Sequence, residues 1–364
     1  PNFDYSRRVE AKGKFLYLGN EKFWIKGVTY GTFSPNASDE PFPSPQTVAS
    51  DFEAMSLAGI NTVRVYTPPP SWLLDLAREN GLRLIVGLAW EQHVTFLDNK
   101  ELAESIEQRV YEDVLACREH PAILAYSVGN EIPVGIVRWH GPRKIEAFIK
   151  RLYNAVKKAH PGSLVTYVNY PTTGYLQLQF LDLCCFNLYL ESVDELGCYL
   201  SKLQNVAGSK PLLMAEIGLD SQRNGSEEQA RQLRAQLRTI FAAGCSGAVV
   251  FAWTDEWFRG GSQIEDWDFG LVTRDRKPKK AMAAVREAYQ QVPFEPDIAW
   301  PRMSVVVCSF NGEATIRDTL DCLQSIDYPD YEVIVVDDGS TDSTAVIAGY
   351  YEVQLISTEN RGLS

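Results

Sequence analysis

Two glutamates stand where chemistry would be expected. Glu131 follows the apolar run 123–128 through Gly129-Asn130, and Glu216 closes the run that begins at Leu212, just before Ile217-Gly218. Cleaving a β-glycoside with two carboxyl groups needs one protonated acid at the leaving oxygen and one ionised group on the opposite side of the sugar. Other polar and aromatic residues fall in or after comparable runs. Arg64 lies within 62–67, Trp90-Glu91-Gln92-His93 leaves 84–89, Asn130 precedes Glu131, Tyr189 lies within 183–190 and Trp253 closes 248–253, with Trp257 and Trp267 in the loop beyond. An adjacent arginine lowers a carboxyl pKa and burial away from cations raises it, so such surroundings can divide two glutamates into a base and an acid.

Plainer readings exist for each residue. A glutamate after asparagine can cap a helix, 216–218 can be a strand end with a turn, Arg64 can brace an interior carboxylate, and any single tryptophan can be packing. Asp255, Glu256, Glu265, Asp266 and Asp268 read as a solvated loop face or caps, with no metal site expected. His93 and His140 read as substrate-edge or structural residues.

The elements that must position these groups follow a βα alternation. Strands are predicted at 23–30, 62–67, 84–89, 123–128, 164–169, 183–190, 212–217 and 248–253, which makes eight. Apolar spacing predicts helices at 47–57, 72–79, 101–118, 144–158, 193–206, 227–241 and 279–290, and a weaker one at 175–180. Eight such units close into a (β/α)8 barrel, whose catalytic groups sit at the C-terminal ends of the strands. The two glutamates leave the fourth and seventh strands, on different sides of the mouth.

Val128-Gly129-Asn130-Glu131, Leu213-Met214-Ala215-Glu216-Ile217-Gly218 and Asp268-Phe269-Gly270-Leu271-Val272, in this order, resemble retaining glycosidases of the (β/α)8 superfamily that includes the β-galactosidase, β-glucuronidase and cellulase-like families. The resemblance covers about residues 15–290. It implies Glu131 as acid/base, Glu216 as nucleophile, Asn130 on the hydroxyl beside the reacting carbon, Arg64 and Tyr189 orienting Glu216, and Trp253 as the floor under the sugar. Trp90, His93 and Trp257 are expected to touch substrate as well. Almost nothing precedes the barrel where galactosidase-type enzymes carry β-sandwich domains, so specificity does not transfer with the resemblance. Transfer to a second sugar, or a barrel that only binds glycan, stand as alternatives to hydrolysis.

The pattern changes after Gln291. A linker over 292–301 leads to strand 303–308, a helix from about Glu313, strand 332–336, the turn Asp337-Asp338-Gly339-Ser340, a helix and strand 353–357. Acidic residues between a strand and a helix N-terminus suit ribose or base hydroxyls, or simply cap the helix. Ser304–Asn311 and Tyr328–Asp342 resemble the start of family 2 glycosyltransferases of the inverting, GT-A type, over 302–364. The resemblance implies a truncated Rossmann-like βαβαβ segment with Glu313, Asp337 and Asp338 as nucleotide contacts. The chain stops before that family's metal-binding acidic motif and catalytic base. A nucleotide sugar and Mg or Mn are therefore expected only for a complete transferase, and no cofactor for the barrel.

The 364 residues carry a net charge of −12, which argues against nucleic acid or an anionic membrane as a partner and suits neutral or cationic small partners better, while a carbohydrate partner is what the resemblance implies. No apolar run approaches a membrane span, so any such helices are expected after residue 364. The seven cysteines show no metal-binding spacing. They are expected to be buried, reduced thiols, consistent with a cytoplasmic barrel.

Overall fold

The computed structural model describes residues 5–294 and 298–362. The chain divides into two compact units, Pro1–Glu295 and Pro296–Ser364. Part of the expected linker, 295–297, lies outside the described residues.

In the first unit, short runs of β-branched and aliphatic residues form eight parallel strands: β1 (Ile25–Tyr30), β2 (Thr62–Val65), β3 (Arg83–Gly87), β4 (Ile123–Asn130), β5 (Leu164–Asn169), β6 (Cys184–Asn187), β7 (Leu212–Ile217) and β8 (Gly247–Val250). They pair in sequence order, and β8 pairs with β1 to close the barrel. The strands are buried on both faces, as parallel strands are when helices cover the outside. Around them run α1 (Pro45–Leu57), α2 (Ser71–Glu79), α3 (Lys100–Cys117), α4 (Val134–His140), α5 (Pro142–Ala159), α6 (Val193–Ala207), α7 (Ser221–Asn224), α8 (Ser226–Ala242) and α9 (Lys280–Gln291). Local signals start several of them. Ser44 accepts from Thr47 N ahead of Pro45 at the first turn, Asn99 accepts from Leu102 N, and Ser192 from Glu195 N.

The larger core fills the space between strands and helices, and a smaller one fills the barrel itself with Ile25, Ile85, Leu124, Leu164, Leu213, Ala215 and Val249. Val9 and Leu16 join that inner core. They belong to a small antiparallel sheet of strands Val9–Lys12, Phe15–Leu18 and Glu21–Lys22. Phe23, expected to open the first strand, precedes β1 and packs against this inner core.

The helix expected at 175–180 is absent. After β5 the chain makes a 3-10 turn, Pro171–Thr173, and then irregular turns to β6. Leu176 and Leu181 are buried, so this sector of the barrel is covered by loop side chains without a helix.

The second unit is a parallel sheet of β9 (Met303–Ser309), β10 (Tyr331–Asp337) and β11 (Gln354–Ser357), with α10 (Ile316–Gln324) and α11 (Thr344–Ala348). Ile316, Leu320, Val335 and Ala348 form its core. The expectation that the cysteines are buried is corrected in part. Cys117, Cys185 and Cys245 are buried and Cys184 is partly buried, but Cys198, Cys308 and Cys322 are exposed.

Candidate active site

Glu216, at the end of β7, is 7 % exposed, and Arg64 in β2 is 2 % exposed. The Arg64 Nη1 donates to Glu216 Oε1 at 2.9 Å, Tyr66 Oη donates to the same oxygen at 2.9 Å, and Tyr189 Oη donates to Oε2 at 2.7 Å. Burial and the neighbouring Glu216 raise both phenols well above the ordinary tyrosine range, which keeps them as donors.

The remaining guanidinium contacts reach the other side of the barrel. Nη2 donates to Asn130 Oδ1 at 2.7 Å, and Nη1 also reaches Asn187 Oδ1 at 3.2 Å. Asn187 Nδ2 then donates to Glu131 Oε1 at 2.8 Å. Arg64 and Asn187 thus bridge the two carboxyl groups, and both donate to Asn130 Oδ1.

Glu131 has φ of 51°, the left-handed region that a non-glycine residue occupies only when its surroundings hold it there. Its N–H donates to Val168 O at 2.9 Å, and the next N–H, of Ile132, donates to Tyr167 Oη at 2.8 Å. Burial raises the Glu131 pKa, the charge of Glu216 raises it further, and the Asn187 hydrogen bond opposes both only in part. The result is a carboxyl inclined to keep its proton beside a carboxylate that accepts three donors.

Strand alternation alone does not place these groups. Leu213 and Ala215 face the barrel interior while Leu212, Met214 and Ile217 pack outward. Glu216 shares Met214's parity, so a regular strand would turn it to the helices. A register shift between Met214 and Glu216 against β6 turns it to the mouth, and one between Ser127 and Asn130 against β5 does the same for Asn130.

The two glutamates line a cavity of about 590 Å³. Its walls include Tyr66, Tyr189, Trp257 and Trp267 together with Phe251 and Phe269, and its edge holds His93 and Arg259. Phe251 meets Trp257 and Phe269 edge to face at 4.9 and 5.4 Å. Burial and then Arg259 lower the His93 pKa, favouring the neutral ring. Trp90 lines an adjoining recess and donates from Nε1 to Val128 O at 2.9 Å.

Trp253 is not the floor of this cavity. It is 1 % exposed, packed in the core between strands and helices, because β8 ends at Val250 and the following turn brings Phe251 to the cavity instead. Tyr66, Asn187 and Gln92 went unselected in the sequence. Two had a usable signal, Tyr66 lying two residues after Arg64 and Asn187 two before Tyr189. The loop acids are tied to cations: Asp255 to Lys279, Asp268 to Arg274 and Glu256 to Arg276.

In the second unit, Asp338 accepts from Arg361 N and Gly362 N, Asp337 from Ser340 N, and Glu313 from Ser343 N next to the start of α11. Asp337 braces its own turn, whereas Asp338 and Glu313 each tie their loop to a neighbouring one.

A (β/α)8 barrel with two glutamates facing one aromatic cavity at the C-terminal ends of β4 and β7 has the site of a glycosidase-type protein. Residues 9–294 match the family described as "Glycosyl hydrolases family 2, TIM barrel domain", and the chain belongs to that family. Residues 304–364 match "Glycosyl transferase family 2". A β-glucuronidase of Rattus norvegicus is 24% identical over 317 residues, which is 78% of this chain and 46% of that protein. A poly-β-1,6-N-acetyl-D-glucosamine synthase of Staphylococcus epidermidis is 34% identical over 71 residues, 20% of this chain and 15% of the synthase. Among solved structures, the β-galacturonidase of Eisenbergiella tayi bound to galacturonate superposes with a TM-score of 0.66 at 21% identity, covering 79% of this chain and 54% of that one. The chain spans about half the length, or less, of the relatives it matches.

Proposed function

We propose that the first unit is a retaining β-glycosidase acting on a β-linked oligo- or polysaccharide, within a protein that also carries glycosyltransferase sequence. The observation that carries this reading is the contrast between the two carboxyl groups. Glu216 accepts an arginine and two phenols, while Glu131 is pushed toward its protonated form by burial and by Glu216.

In the first step Glu216 attacks the anomeric carbon, the glycosidic C–O bond breaks, and Glu131 gives its proton to the departing oxygen. Oε2, with one donor against two at Oε1, is the freer oxygen for the attack. In the second step Glu131, now a carboxylate, takes a proton from water as that water displaces Glu216 from the anomeric carbon. In this reading Asn130 donates to the hydroxyl beside the reacting carbon. Trp257, Trp267 and Phe251 offer apolar faces to the sugar rings.

Incubation with a panel of aryl β-glycosides and β-linked glucan oligomers, with NMR of the first-formed sugar, tests the reading. Retained configuration is expected, with a carboxyl separation near the ~5–5.5 Å of retaining enzymes. An inverted first product would overturn it, and products longer than the substrate would show transfer to sugar in place of water.

A further inference from the structure

The main chain and the side chain of Glu131 are held by different parts of the barrel. Its backbone is fixed by β5, through Val168 O and, at the next residue, Tyr167 Oη. Its carboxyl has one tether among the described residues, the 2.8 Å hydrogen bond that Asn187 Nδ2 donates to Oε1. Asn187 closes β6, is 2 % exposed, and stands beside Glu216 where the register slips between β6 and β7.

The direction of that bond is set from behind. Asn187 Oδ1 accepts from Arg64 Nη1 at 3.2 Å, and a guanidinium has donors but no acceptor. Turning the amide over would set its NH2 against the guanidinium and its oxygen against Asn130 Oδ1 and Glu131 Oε1. Asn187 therefore presents an N–H to Glu131 in either protonation state of the carboxyl. A neutral carboxyl accepts best at its carbonyl oxygen and carries the proton on the other, so a donor fixed at Oε1 puts the proton on Oε2. An ionised carboxyl keeps the same bond, strengthened by the charge of the acceptor. One oxygen is thus held throughout, and the other is left to give a proton and take one back without the group turning.

We propose that Asn187 is a positioning residue for the acid/base: it holds the Glu131 carboxyl by Oε1 and directs Oε2 to the glycosidic oxygen and, once that has left, to the incoming water. This rests on the reading of the first unit as a retaining glycosidase and adds which oxygen moves the proton and what aims it. Arg64 serves both carboxyl groups in this scheme, binding Glu216 directly and orienting the amide that holds Glu131.

Two variants test it. Asn187→Asp keeps the shape and the oxygen facing Arg64 but removes the donor, and Asn187→Ala removes both; the isosteric variant decides alone if the cavity left by the other unfolds the barrel. Each is compared with the wild type on phenyl and 2,4-dinitrophenyl β-glycosides of a sugar that the wild type cleaves, across pH. Only the phenyl leaving group needs a proton. Both variants should therefore lose roughly tenfold more kcat/KM on the phenyl than on the dinitrophenyl glycoside, a part of the 10²–10⁴ that a positioned acid contributes. The other charged or titratable groups about Glu131 are Glu216, Arg64, Tyr167 and Tyr189, with His93 and Arg259 at the cavity edge, and none of them is substituted. Loss of a donor to the ionised form raises a carboxyl pKa, so the alkaline limb of kcat/KM should move to higher pH, and further in Asn187→Asp, which adds a second carboxylate. Equal losses on the two leaving groups, or an unmoved alkaline limb, would overturn the proposal and leave the glycosidase reading standing. No cleavage of any aryl glycoside by the wild type would sink that reading instead. The tether is then read by ¹³C NMR of glutamate-labelled protein, with the Glu131 carboxyl signal identified by its absence in Glu131→Gln. A higher titration midpoint in Asn187→Asp than in the wild type would keep the tether, and equal midpoints would overturn it.

Discussion

At the residue scale, the two glutamates are distinguished by what each loses on substitution. Glu216→Ala should abolish turnover, because no other carboxylate lies where the covalent bond would form. Glu131→Ala should keep measurable activity on substrates whose leaving groups need no proton, and azide should restore part of the rest by replacing the second-step nucleophile. Equal loss in both variants without rescue would undo the assignment. The raised pKa of Glu131 also has a sign for pH. As the acid, Glu131 must be protonated, so kcat/KM should fall on the alkaline side as pH rises through its raised pKa. Its effect on stability runs the same way, since a carboxyl with a folded pKa above its unfolded value favours folding when protonated and loses that contribution as pH rises. Glu131→Gln, which keeps a neutral group of the same shape, should therefore raise Tm at pH 7, by a degree or more on the order expected for a domain of this size, with the gain shrinking toward acid pH. A lower Tm at pH 7 would contradict the strained, partly desolvated carboxyl described here.

At the scale of elements, the barrel positions the site through a few close approaches and one buried cation. Gly247 opens β8 where it meets β1, and a Cβ there would stand 2.3 Å from Ile25 O, against backbone that cannot yield. Gly247→Ala should cost about 3 kcal/mol, the upper range for overpacking, read as a lower denaturant midpoint with an unchanged m value. Arg64 ties β2 to β4, β6 and β7 by its contacts to Asn130, Asn187, Ala215 O and Glu216. Arg64→Ala leaves Glu216, which lines the cavity, with only the Tyr66 and Tyr189 donors, and should cost about 1–3 kcal/mol, below the loss of a fully buried charge partner. Adding Glu216→Ala to that variant should recover part of the loss in a double-mutant cycle. Strictly additive effects would show that the pair is not coupled through this bond.

At the scale of the whole molecule, the two units have unequal cores. The two clusters of the barrel include no residue after Val292, whereas the second unit is centred on four buried side chains. A fragment ending at residue 294 should retain the barrel's kinetic constants and its main thermal transition. A large drop in either would mean that the second unit contributes to the site. Among the described residues no helix is long and apolar enough to cross a membrane. In the second unit the carboxylates of Glu313 and Asp338 already accept from backbone N–H groups of neighbouring loops, those of Ser343 and of Arg361 and Gly362. Calorimetry with uridine diphosphate, with and without Mg²⁺, should accordingly show weak or no binding by this chain. Tight binding would mean that these loops rearrange around a nucleotide.

The order of the elements was legible in the sequence because each parallel strand is a short apolar run bounded by turns, and because apolar spacing of 3.6 marks the helices between them. The placement of Arg64, Asn130, Glu131, Tyr189 and Glu216 at one mouth followed from that order, since residues after successive strands of a barrel converge. Other features depend on contacts between distant segments. The missing helix at 175–180 reflects a sector where buried loop residues such as Leu176 and Leu181 suffice as cover. Trp253 and Phe251 share the same strand end, and the turn after β8 decides which of them meets the cavity and which the core. Asn187 joins the two carboxyl groups from a strand whose alternation says nothing about Arg64. Glu216 and Asn130 face the mouth because neighbouring strands slip by one residue beside them, and a register shift is a property of the pair of strands, which neither strand's own sequence specifies.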